Sequence, residues 1–196
     1  FTGGDSALSI LGTAEGAWYG AWLTQYFDKP KQRIGAGTLV GTSLGFFGAS
    51  AWAQYSNYSV GQVLGMEMGS IYGKVFGTGV ALLAKSSGHG INGSQMVGGA
   101  IGIGVGAAMA PSLKYNGGDI ALVPTATALG AWHGGMLGAY LDATDRFEEG
   151  QGPGLALTLA SASGLGAVVA GQFTEYGALE VPMGAIGTVW GAWFAG

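Results

Sequence analysis

The sequence predicts a mainly α chain: about seven glycine-rich apolar helices arranged as tandem helical hairpins. Three observations carry the prediction. Seven apolar stretches alternate with short polar breaks, glycine recurs inside them at four-residue spacing, and the chain is internally duplicated at an offset of 114–118. A glycine-rich β-barrel is the alternative, suggested by the alternation Gly102-Ile-Gly104-Val-Gly106. A transmembrane barrel needs sustained apolar-out, polar-in alternation, and segment 155–165 shows no period of two.

Composition excludes several classes. The 196 residues include 41 Gly, 5 Pro and no Cys, and only 9% are charged. Usual shares are about 7% for Gly and about 25% for charged residues. An ordinary soluble domain carries more charge on its surface. The 6 Trp, 8 Tyr and 8 Phe do not suit a disordered linker, and so few Pro exclude collagen. Seven basic against eleven acidic residues argue against a nucleic-acid partner. Without Cys there is no disulfide scaffold and no thiolate metal site. A membrane-embedded chain, or one packed deep in an assembly, remains. The first residue is Phe, which reads as a processed product or a piece of a longer chain, and no signal peptide is visible.

The stretches are read at 6–27, 34–55, 60–84, 95–113, 119–142, 154–173 and 178–196. Each approaches the roughly 20 residues that cross a bilayer as a helix. The first places Gly12, Gly16 and Gly20 on one helix face, with Glu15 beside them. The second does the same with Gly37, Gly41 and Gly45. The third carries the longest row, Gly61, Gly65, Gly69, Gly73 and Gly77, together with Glu67 and Lys74. The fourth follows the break 85–94, whose Ser, Gly, Asn and His89 read as turn chemistry. The fifth holds Gly130, Gly134 and His133, and the seventh holds Gly187 and Gly191. Glycine inside a helix costs about 1 kcal/mol in water relative to Ala, whereas in lipid a small-residue face lets a second helix approach closely. Pro124 and Pro182 lie near the starts of the fifth and seventh stretches. Proline favours the first helical turn, so the Gly-Gly-Asp lead-ins are expected to be extended, with Asp5 and Asp119 in matching polar turns.

Residues 2–23 match 116–137 at 12 of 22 positions, among them Gly16/Gly130, Trp18/Trp132 and Gly20/Gly134. Beyond the first break the offset becomes 118, with Leu39/Leu157, Ala49/Ala167, Val63/Val181, Gly69/Gly187 and Gly73/Gly191. A fainter repeat of about 57 residues underlies it and makes the hairpin the repeating unit. The halves are read as 1–115 and 116–196, the second lacking an eighth helix. Lys29, Lys31, Arg33, Lys85 and Arg146 fall in odd-numbered breaks and only Lys114 in an even one. That distribution puts the odd breaks on the cytoplasmic side.

The recurring glycine rows resemble the glycine-zipper class of membrane proteins, over most of the chain. The resemblance implies close helix packing and no particular activity. Gly102-x-Gly104-x-Gly106 is similar to the tight glycine helix of rotary-ATPase ring subunits. His133 in Ala-Trp-His-Gly-Gly, with Ser50 in Gly-Ala-Ser-Ala, is similar to the histidine and serine motifs of rhomboid intramembrane proteases. The match departs at Ala51, where that family has Gly, and in the short His to Gly-Gly spacing.

Intramembrane carboxylates mark an ion path, a proton relay or a polar contact between helices. Glu15, Glu67, Lys74 and His133 are therefore the candidate ion path. The simpler alternative is that Glu15 and Glu67 bond a neighbouring helix. Glu67 and Lys74 lie two turns apart, too far for an unaided pair. Neither carboxylate is duplicated, since Leu129 and Ala185 occupy the equivalent positions. His133 is equivalent to Tyr19 and reads as an aromatic slot. The acidic run Asp142, Asp145, Glu148 and Glu149 lacks calcium-loop spacing, and no phosphate-binding loop is present.

The reading is a membrane-embedded structural or assembly subunit, a homo-oligomer or part of a larger membrane complex, with the bilayer as its surroundings. No cofactor, metal, catalytic set or nucleic-acid partner is expected. The packing residues are Gly12, Gly16, Gly20, Gly61, Gly65, Gly69, Gly73, Gly77, Gly130, Gly134, Gly187 and Gly191. The alternatives are an ion channel or transporter using Glu15 and Glu67, and an intramembrane serine protease using Ser50.

Overall fold

The computed structural model describes residues 2–27, 32–112, 117–175, 177 and 180–195. The helices are α1 (Gly3–Tyr26), α2 (Gln32–Ala53), α3 (Val60–Leu83), α4 (Gly88–Met109), α5 (Gly117–Ala143), α6 (Gln151–Ala170) and α7 (Glu180–Ala195). A short 3-10 turn, Ala110–Ser112, follows α4. Among the described residues there is no strand, so the β-barrel alternative is not supported. The Gly102–Gly106 alternation that suggested it lies inside α4.

Helix starts are set by local polar chemistry. Thr2 Oγ1 accepts the Asp5 N–H at 3.2 Å and Asp5 Oδ2 accepts the Thr2 N–H at 2.5 Å. This capping box satisfies two orphan donors and starts α1 at Gly3. The expected extended lead-in is therefore wrong for α1, and Asp5 is the third helical residue. The same holds for the duplicate, where α5 begins at Gly117 and contains Pro124; the Asp119 side chain lies outside the described residues. Ser59 and Gln62 repeat the box at α3, with Gln62 Oε1 2.8 Å from the Ser59 N–H. The break expected at 85–94 is shorter, because α4 starts at Gly88 and takes His89 into its first turn. Lys85 and Asp145 each adopt φ 54° in the turns that end α3 and α5.

The chain divides into two compact units, 1–74 with 87–113, and 75–86 with 114–196. Residues 75–86, the end of α3 and the turn after it, belong to the second unit. There Gly79 gives room to α6: a Cβ on it would lie 2.7 Å from the Thr158 backbone nitrogen.

In the first unit α1 and α2 pack antiparallel through opposed glycines. A Cβ on Gly16 would lie 3.0 Å from Gly45 Cα, and one on Gly20 3.1 Å from Gly41 Cα. The α3–α4 pair is built alike. A Cβ on Gly73 would fall 2.7 Å from the Gly98 carbonyl carbon, and one on Gly106 2.8 Å from Met66 Cα. Leu8, Leu11, Ala49, Ala53, Val63, Met66 and Ala110 close the core of this unit.

In the second unit α5 packs on α6 with Gly134 against Ala156, where a Cβ would lie 2.7 Å from its Cα. Gly138 meets Gly152 at 2.8 Å by the same measure. The sequence duplication is thus a duplication of register. Gly16 faces Gly41 and Gly20 faces Gly37, while Gly130 faces Leu159 and Gly134 faces Leu155, each displaced by the two offsets. Helix α7 packs on α5, and its Val181 is buried like the equivalent Val63.

Among the described residues, three helical segments are long and apolar enough to cross a membrane: Arg33–Ala53, Gly88–Ser112 and Gln151–Ala170. They correspond to α2, α4 and α6, where the sequence led us to expect seven such spans. The odd helices α1, α3 and α5 carry polar residues that lower their hydropathy, among them Glu15, Glu67, Lys74 and His133.

Candidate functional site

Helix α1 has two working faces. The glycine face turns to α2. Glu15 and Tyr19, four residues apart and so on one side of the helix, turn to α3 and α4. On α3, Ser70 and Lys74 are likewise four apart. These two pairs meet. Lys74 Nζ donates to Glu15 Oε1 at 2.6 Å and to Oε2 at 2.8 Å. Ser70 Oγ donates to Glu15 Oε1 at 2.8 Å. Glu15 is 7% exposed and Ser70 fully buried, so the carboxylate is satisfied inside the unit as a buried charge must be.

Aromatic groups complete the arrangement. Lys74 Nζ sits 4.3 Å from the Trp18 ring centroid, within cation–π range. Tyr19 Oη donates to the Met96 carbonyl of α4 at 2.9 Å. Gly99 of α4 leaves room for both: a Cβ there would stand 2.7 Å from Tyr19 Oη and 2.9 Å from Lys74 Cγ. The polar cluster therefore ties α1, α3 and α4 together, across helices whose other faces are held by glycine contacts.

Glu67 lies seven residues before Lys74 and three before Ser70, on the same side of α3. It is half-buried. Its Oε2 is shut off from solvent and has no hydrogen-bond partner among the described residues. Glu67 feels the charges of Glu15 and Lys74.

His133 belongs to the second unit. It is exposed on α5, and its Nδ1 lies 2.8 Å from the Leu129 carbonyl of its own helix. Its equivalent, Tyr19, instead reaches across to another helix. Ser50 Oγ lies 3.0 Å from Ser9 Oγ, an interhelical hydroxyl contact between α1 and α2. In the acidic run, Glu148 pairs with Lys85 at 2.5 Å. Among the described residues no three His, Asp or Glu side chains gather as a metal site.

The glycines divide by environment. Gly12, Gly16, Gly20, Gly69, Gly73, Gly130 and Gly134 each face another helix at distances that exclude a side chain. Gly65 and Gly77 are buried, and the Gly65 carbonyl oxygen would lie 3.1 Å from a Cβ on Gly106. Gly61 is exposed, with only Ser59 Oγ at 3.9 Å, because α3 is there only one residue into the helix. Gly187 has nothing within 4 Å, since α7 has no helix on that side among the described residues. The surroundings of Gly191 and of Trp193 lie outside the described residues, as do Lys29, Lys31 and Lys114.

Sequence reasoning missed the Glu15–Lys74 pair, its Ser70 donor and the Tyr19–Met96 tie. The signal was present in the matched four-residue spacings and in a single lysine available to two carboxylates. It also missed Gly79, Gly98, Gly99, Gly138 and Gly152, whose role depends on which helix lies opposite. No family model matches the chain, and no curated protein and no solved structure matches it either.

Proposed function

We propose that this chain is a membrane-embedded structural subunit that assembles, with copies of itself or within a larger membrane complex, through glycine-zipper helix faces. One observation carries the reading. Each hairpin is closed by glycine against backbone, yet on α7 Gly187, with Gly184 one turn before it, has nothing within 4 Å among the described residues. Gly187 is equivalent to Gly69, which in the first unit is covered by Gly102 of α4. The exposed face of α7 is thus of the kind the chain elsewhere covers with a glycine-bearing helix.

The outer surfaces support a bilayer setting. On α2, Leu39 is 70% exposed, Val40 59%, Leu44 69% and Phe47 68%. Monomeric soluble proteins seldom expose contiguous apolar patches beyond about a few hundred Å². Ser and Thr side chains along the helices bond the carbonyl four residues back, as Thr38, Thr42, Thr158 and Ser161 do. That habit satisfies hydroxyls where no water is present. In lipid, association is driven by close van der Waals packing, which opposed glycines maximise.

The test has two arms. Alkaline carbonate extraction should leave the chain in the membrane pellet, and native mass measurement should give more than one chain per particle. Gly184→Leu with Gly187→Leu should dissociate that particle while helix content is retained. Release by carbonate, or a single-chain particle before any substitution, would refute the proposal. The Gly69 and Gly73 faces do not serve for this test, because α4 of the same chain already covers them.

A further inference from the structure

Among the described residues, Glu67 is the side chain of the polar cluster whose buried oxygen, Oε2, has no hydrogen-bond partner. Ser70 gives its proton to Glu15, and Lys74 gives two of its hydrogen bonds to the same carboxylate. The elements around it carry few other charges. On α1 these are Asp5 and Glu15, on α2 Arg33, and on α4 His89; Asp5, Arg33 and His89 all lie in the first turns of their helices. The charges acting on Glu67 are those of Glu15 and Lys74. Glu15 and Lys74 cancel. An ionised Glu67 would leave the cluster with one uncompensated negative charge and an undonated, desolvated oxygen. Glu67 is half-buried, but its Oε2 is shut off from solvent with no donor among the described residues; such desolvation disfavours the charged form, and a second carboxylate nearby disfavours it further.

We infer that Glu67 is a proton-binding site. Its carboxylate takes one proton from water, forming an O–H bond on the carboxyl at neutral pH, and the Glu15–Lys74–Glu67 group becomes electrically neutral. The Glu15 carboxylate accepts from Lys74 and Ser70. The low-dielectric surroundings rest partly on the bilayer setting proposed above. The oxygen's isolation does not, because it is shielded within the unit itself.

The test uses the full chain in whichever cell fraction holds it. Dicyclohexylcarbodiimide, an apolar reagent, takes the proton of a carboxylic acid on one nitrogen while the carboxyl oxygen bonds its central carbon; an acyl shift to nitrogen leaves a stable acylurea. Mass spectrometry should place the adduct on Glu67 and not on Glu15 at pH 7. Above the midpoint, the modification should fall about tenfold per pH unit as the protonated fraction falls. Lys74→Gln, which strips Glu15 of its counter-ion, should bring Glu15 into reaction and so shows that the reagent reaches the cluster. Infrared spectroscopy of the purified chain needs no reagent access. A protonated-carboxyl C=O band should be present at neutral pH and disappear in Glu67→Gln. Absence of that band overturns the inference, as does equal labelling of Glu15 and Glu67. Loss of the band and the label on adding sodium at fixed pH overturns it in favour of a metal-cation site. Carbonate release of the chain bears only on the membrane reading, since the infrared result is read on the purified chain either way.

Discussion

Replacing Gly41 by Ala tests the packing of the first hairpin directly. A Cβ on Gly41 would stand 3.0 Å from Gly20 Cα and 3.0 Å from the Gly16 carbonyl carbon, with the Gly16 oxygen closer still. All three are backbone atoms, so no side chain can swing aside. Carbon atoms in contact prefer about 3.5–4.0 Å, and a gap of about 0.5–1 Å forfeits about a quarter to a half of the attraction. The α1–α2 pair must therefore separate along its length, loosening the Gly12 and Gly20 contacts as well. Forcing one methyl into a filled interface costs about 1–3 kcal/mol. Gly48 lies on the same helix with nothing within 4 Å among the described residues. Gly48→Ala keeps the same composition change and should be neutral or favourable by up to about 1 kcal/mol through helix propensity. For a chain of this size about 1 kcal/mol moves Tm by about 2–4 °C, so Gly41→Ala should melt about 2–12 °C below the parent. Thermal melts in detergent, followed by circular dichroism, read both variants. Equal melting temperatures for Gly41→Ala and Gly48→Ala would refute the glycine-to-backbone packing described for α1 and α2.

Other outcomes follow from the polar cluster and the caps. Lys74→Met should destabilise by about 3–5 kcal/mol, because it strands the buried Glu15 carboxylate, while the double variant with Glu15→Leu should recover most of the loss. Denaturant titration of the single and double variants measures the coupling. Tyr19→Phe removes the 2.9 Å bond to the Met96 carbonyl and should cost about 1 kcal/mol, read as faster hydrogen exchange at the α1–α4 contact. The Thr2 backbone N–H holds the Asp5 carboxyl below its ordinary value of 3.8, ahead of the apolar stretch. The folded value is the lower one, so the cap's contribution is fully present above pH 3.8 and fades as pH falls through the folded value. Amide exchange of the first turn of α1 across an acid titration should show that fraying, and Asp5→Asn should remove its pH dependence.

Most of the fold was legible because its signals are local. Four-residue glycine spacing within apolar stretches specifies helix and names a packing face, and the duplication announced that the hairpin would recur with the same register. Gly20 opposite Gly37 and Gly134 opposite Leu155 are the structural form of that repeat. The misread boundaries also have local causes. Pro124 and Pro182 make the Gly-Gly-Asp lead-ins read as extended, whereas the Thr2–Asp5 capping box starts α1 at Gly3. The His89 segment reads as a loop because Gly and Asn are turn residues by propensity, yet α4 begins at Gly88.

The sequence alone determined that the chain is helical, duplicated and short of charge, because propensity, periodicity and composition are properties of neighbours along the chain. Which glycines are covered was decided only by the tertiary structure. Gly73 and Gly187 sit in the same kind of row, but one meets α4 and the other meets nothing among the described residues. The same is true of the charges. Glu15 and Lys74 are 59 positions apart, and no local rule links residues at that distance. They pair because burial in α1 and α3 removes water from both and leaves each as the partner within reach. Glu67, two turns from the same lysine, is left without it.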